Sequence, residues 1–89
     1  MTAVARYRPE VLEELARHGI VPRPDTPSER VYDLLKSIYT FELREAKLRH
    51  RDRERVLGPQ PLDPYRREIR TIQDRYPVLR LPAHHWVER

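Results

Sequence analysis

The sequence has no cysteine and no asparagine, and among its 89 residues there are two glycines, two serines and one residue each of methionine, tryptophan and phenylalanine. Without cysteine there is neither a disulfide framework nor a thiolate metal site. Two isolated glycines leave no glycine-rich loop to cradle a phosphate. Of the serines, Ser28 belongs to a helix start and Ser37 lies inside an apolar-periodic run, so neither has the spacing of a nucleophile beside its base. No apolar run approaches the roughly 18 residues that cross a bilayer. Met1 leads into Thr2-Ala3-Val4-Ala5-Arg6 without the apolar centre of a signal peptide, so the expected location is cytoplasmic, with no membrane partner.

Charge is plentiful and nearly balanced: 18 Lys and Arg face 14 Asp and Glu, a net charge of +4 with a pI near 9.8. Charged residues make up 36% and hydrophobic ones 38% of the chain, a ratio that disorder would share, but capped periodic segments argue for folding. Glutamine occurs only at Gln60 and Gln73, and nine prolines fall between candidate helices, a pattern expected of a thermophile protein. One small domain is expected over residues 1–89, of a size that buries only about two thirds of its unfolded surface.

Thr26 to Gly58 organises the rest. Thr26-Pro27-Ser28-Glu29 has the form of a capping box, and Gly58-Pro59 cannot continue a helix, which predicts a long helix over 27–57. Such a helix is roughly 45 Å long, whereas a compact chain of this size has a radius of gyration near 12 Å. Its wheel carries two apolar stripes. Val31, Leu34, Leu35, Ile38, Phe41 and Leu48 form one; Tyr32, Tyr39, Leu43, Ala46, His50 and Leu57 form the other.

A first helix is expected over 7–18, with Pro9 in its first turn and Gly19 closing it. Asp63 as N-cap and Pro64 as first residue predict a third helix over 64–76, folded back on the long one. The connection Gly58-Pro59-Gln60-Pro61-Leu62 has the length usual for antiparallel neighbours. Val78-Leu79-Arg80-Leu81 alternates and reads as extended, and 77–89 forms a tail containing the only tryptophan, Trp86, which should be buried. The fold class is all-α, with an extended C-terminal tail.

Several residues could carry chemistry. Glu42 and Glu45 sit within the apolar arc, with Arg49 and Asp52 continuing the row. A di-metal carboxylate centre would need Glu-x-x-His pairs that the sequence lacks, and an ion-pair row is the simpler reading. His84-His85 beside Trp86 offers imidazole ligands and a stacking surface, but in an extended tail adjacent side chains diverge. Arg44 and His50 have an Arg-x5-His spacing similar to that of the HEPN ribonuclease superfamily, over seven residues of a much longer domain. That resemblance adds slight weight to a nucleic-acid reading and implies no membership. Neither a metal nor a cofactor is implied.

The expected function is therefore non-catalytic: a helical interaction or assembly module, self-associating as a dimer or docking an unlike protein. The expected interface is Tyr32, Leu35, Tyr39, Leu43, Ala46 and His50, on the argument that the short helices cannot cover both stripes of the long one. The alternative is nucleic-acid binding through Arg44, Arg49, Arg51, Arg53 and Arg55. Glu45, Asp52 and Glu54, interleaved with them, favour a solvated ion-pair face instead.

Overall fold

The computed structural model describes residues 6–88; residues 1–5, in which no signal segment was expected, and Arg89 of the expected tail lie outside them. Three helices dominate: α1 (Pro9–Arg17), α2 (Ser28–Leu57) and α3 (Leu62–Asp74). Two short strands, β1 (Arg6–Tyr7) and β2 (Val87–Glu88), pair antiparallel, with Arg6 opposite Glu88 and Tyr7 opposite Val87. The 30 residues of α2 make the molecule a rod of 61 × 18 × 16 Å with a radius of gyration of 16.8 Å. No helix among the described residues is long and apolar enough to cross a membrane.

The helix ends follow backbone chemistry more than side-chain capping. At the end of α1, Gly19 takes φ 78°, and the Ile20 N–H donates to Leu15 O at 2.9 Å while the Gly19 N–H donates to Ala16 O at 3.0 Å. This is the Schellman stop that Gly19 foretold. Gly58, at φ 84°, ends α2 with its N–H on Glu54 O at 2.8 Å. The starts differ from expectation. No side-chain cap forms at Thr26; Pro27 is the N-cap, and the Thr26 carbonyl instead accepts the Tyr7 hydroxyl at 2.8 Å. Likewise α3 begins at Leu62 behind Pro61, which puts Asp63 in the first turn instead of at the cap. It stops at Asp74, two residues before the expected end, because Tyr76 turns out of the helix ahead of Pro77. The first helix also begins two residues late: Tyr7 belongs to β1, and the Arg8 N–H bonds Trp86 O at 2.9 Å.

The core gathers at one end of the rod. Val11 and Leu15 of α1, Val31 and Leu35 of α2, Ile72 of α3, and Tyr76, Val78 and Trp86 of the C-terminal segment are buried together. Val78-Leu79-Arg80-Leu81 is not extended: Pro77–Arg80 forms a 3₁₀ turn, followed by another at Ala83–His85. These turns bring Trp86 back under the helices, fully buried, with its Nε1–H on Val78 O at 2.9 Å and its ring 5.3 Å from Tyr32. Glu14, also buried, accepts the Val78 N–H. The tail is thus a folded layer of the core that ends in a short extended segment.

Candidate functional site

Beyond this core, the distal half of α2 is covered by α3 alone. An open groove of about 900 Å³ runs along one edge of the hairpin, within the size range of ligand-binding clefts. Its floor is apolar, with Leu43 from α2 and Tyr65 and Ile69 from α3, and Leu48, 45% exposed, adds apolar surface at the outer rim. Its walls are basic. Arg44, Lys47 and Arg51 rise at i, i+3 and i+7 on α2, and Arg66 and Arg70 face them at i and i+4 on α3, with no acidic residue lining the groove. Helical spacing therefore places a cation at each turn on both sides.

The opposite edge of the same hairpin is charge-balanced. Arg49 pairs with Glu68 across the two helices, and Arg75 Nη2 lies 3.4 Å from Glu42 Oε2. The Arg49 guanidinium, held by Glu68 and facing Glu45 and Glu42, has its pKa pushed up from its ordinary value. On that edge acids and cations pair, whereas the groove edge is lined by cations alone.

The five arginines considered for nucleic-acid contact are consequently split. Arg44 and Arg51 stand in the groove wall without an ion pair among the described residues, while Arg55 is 2.8 Å from Asp52. Arg49 is committed to Glu68, and Arg53, exposed and four residues on, follows it onto that flank. Lys47, Arg66 and Arg70 complete the groove and were missed by sequence reasoning. The available signal was the row Tyr65, Ile69, Ile72 and Tyr76: it fixes the buried face of α3, and Arg66 and Arg70 fall on its flank.

Most of the expected oligomer interface packs within the chain, while Leu43 also lines the open groove. Leu35, Ala46 and His50 are buried, and Tyr32, Tyr39 and Leu43 are partly buried against the core. Tyr32 donates to Leu79 O at 3.3 Å, Tyr39 stacks on Tyr76 at 5.1 Å, and His50 stacks on Tyr65 at 4.8 Å with Nε2 3.0 Å from Glu54 Oε1. The C-terminal segment takes a share in covering α2 that the sequence did not show. What stays open on α2 is part of the other stripe: Leu34, Phe41 and Leu48 are 51%, 61% and 45% exposed.

The remaining candidates are engaged in other contacts. Glu42 Oε2 is closed off from solvent close to Arg75, and the Tyr76 hydroxyl is buried without a hydrogen-bond partner. Burial first, and Glu42 second, push the Tyr76 phenol up to about 12. His84 and His85 lie in a 3₁₀ turn, not an extended tail, so their rings do not diverge but meet edge to face at 4.3 Å. Among the described residues no three His, Asp or Glu side chains cluster with metal-ligand geometry. Arg44 and His50 do not converge on one site: Arg44 lines the groove, while His50 is buried beside Tyr65 and Glu54. Ser37 Oγ donates to Asp33 O at 2.9 Å, and Ser28 is buried at the helix start. No protein-family model, curated protein or solved structure matches the chain.

Proposed function

We propose that this chain is a non-catalytic helical interaction module that docks an unlike protein through the α2–α3 groove. One observation carries the reading: an apolar floor walled by five cations and no acid. Arg66 Nη1 lies 4.0 Å from Asp63 Oδ1, while Arg44, Lys47, Arg51 and Arg70 have no ion pair among the described residues; like charges repel one another, and an apolar trough between them leaves hydrocarbon in water, so the free chain gains from a partner that neutralises the walls and covers the floor. The buried end of the rod supplies the rigidity that such a platform needs, since the N- and C-terminal segments close on one another through β1 and β2.

Nucleic-acid binding is the second reading, favoured by a further cationic surface where Arg66, Arg67 and Arg70 lie together with a single acid, Asp63. A tagged pull-down from the native organism, with and without nuclease, separates the two. The module reading expects one protein, recovered regardless of nuclease by the wild type and lost with the charge reversals Arg51→Glu and Arg70→Glu. Nucleic acid in the eluate, with protein recovery abolished by nuclease, would establish the second reading in its place.

A further inference from the structure

Building on the module reading, we infer that the occupant of the groove is an acidic amphipathic helix of about three turns, which completes a three-helix bundle at the distal end of the rod. The first argument is shape. From Thr40 to Arg51 the α2 wall spans 11 residues of rise, about 16 Å or three turns. Two packed helices with a trough along one side are the usual receptor for a third, which lays its apolar stripe into the trough and its flanks against the walls.

The second argument is the division of chemistry. Leu43 and Ile69 present aliphatic surface suited to leucine-like knobs, Leu48 extends it at the rim, and the cations stand one turn apart on either side. A helix seated there has both flanks within reach of guanidinium or ammonium groups, so aspartate or glutamate is favoured at the flanking positions, as at the e and g positions of a coiled coil. The partner is then read by two features at once, an apolar stripe and an acidic margin on each side.

Two other occupants fit less well. A second copy, meeting this groove across a two-fold axis, would bring the same five cations against their images, where like-charge juxtaposition is costly. Single-stranded nucleic acid needs exposed aromatic faces for its bases. The only aromatic residue on the floor is Tyr65, and its ring already stacks on His50 at 4.8 Å.

The test uses the full chain and three fluorescein-labelled probes: a helical peptide of about 18 residues with a leucine stripe and glutamate flanks, a shuffled peptide of the same composition, and a single-stranded RNA of about 12 nucleotides. Anisotropy gives affinity, and amide chemical shifts locate the site. The helical peptide should bind at least about tenfold tighter than the shuffled one, perturb Leu43, Leu48 and Ile69, and lose about tenfold or more in affinity with Arg51→Glu/Arg70→Glu. Both substitutions are on exposed side chains, and an unchanged thermal midpoint verifies that the variant folds. Equal binding of the shuffled peptide would overturn the helical occupant while leaving a groove that attracts acidic protein. Tighter RNA binding at the same residues would overturn both the occupant and the module reading. No binding by any probe would overturn the occupant alone, and the nuclease-controlled capture would then decide the module reading independently.

Discussion

Glu14 accepts the Val78 backbone N–H with both carboxylate oxygens, at 3.2 and 3.4 Å, joining α1 to the first turn of the C-terminal segment across 64 residues of sequence. Burial pushes its pKa up, against the lowering effects of that hydrogen bond and of His18 and Arg17. In the window between the ordinary glutamate value and the raised one, the folded chain binds more protons at this site than the unfolded chain. The contribution of Glu14 is thus complete below the ordinary value and declines as pH rises through the raised one. Glu14→Gln retains an acceptor without the charge and should leave stability at neutral pH equal or higher, with a flatter profile across that window. Glu14→Ala leaves the Val78 N–H buried and unpaired and should cost about 1–3 kcal/mol. Chemical denaturation of the three proteins from pH 4 to 8 checks both outcomes.

Tyr76 carries the opposite end of the pH range. Its ring is sandwiched between His18, at 4.2 Å, and Tyr39, at 5.1 Å, with the hydroxyl buried and unpartnered. The folded phenol, pushed up from 10.0 to about 12, stays neutral where an unfolded one ionises. Stability from this group is therefore present in full below pH 10 and is lost as pH rises toward 12. Tyr76→Phe keeps both stacked faces and removes the phenol that burial and Glu42 hold neutral, so it should soften the alkaline transition. A steeper alkaline loss in the variant would contradict this account.

Trp86 offers a direct test of the C-terminal segment. With no exposed surface and its indole N–H on Val78 O, it should emit well to the blue of exposed tryptophan, and Trp86→Ala should cost about 3–5 kcal/mol. A small domain holds only about 5–15 kcal/mol in total, so that loss would leave little of the fold at moderate temperature. Fluorescence and thermal melts of the two proteins measure the effect.

Much of this architecture is legible in the sequence wherever backbone chemistry is decisive. Gly19, Gly58 and Pro77 mark stops that the structure respects, because glycine accepts positive φ and proline disfavours helix in the residue before it. Side-chain caps were less reliable, since α2 starts behind Pro27, just after Thr26, and α3 behind Pro61, two residues before Asp63. The 3₁₀ turns, and the pairing of β1 with β2, depend on contacts spanning most of the chain, and alternation over four residues carries no such information. The groove is half legible: the basic run marks Arg44 and Arg51, but their separation from Arg49 and Arg53 appears only when the wheel of α2 is combined with the known side of α3.

The dimer expected from sequence drew on Tyr32, Leu35, Tyr39, Leu43, Ala46 and His50, residues that α3 and the C-terminal segment cover within one chain. The apolar surface left on the other stripe is Leu34, Phe41 and Leu48, three partly exposed side chains against the roughly 800 Å² per partner of a stable interface. Like charges oppose a two-fold through the groove. Light scattering at micromolar concentration should therefore give a monomer of 10.8 kDa. Leu43→Glu, which would test a dimer interface by dissociating it, should instead lower the thermal midpoint at unchanged mass, because it places a carboxylate against the apolar seam between α2 and α3 at a cost of about 1–3 kcal/mol. A wild-type dimer that this substitution converts to a well-folded monomer would restore the expected interface and show that α3 and the C-terminal segment do not hold that face alone.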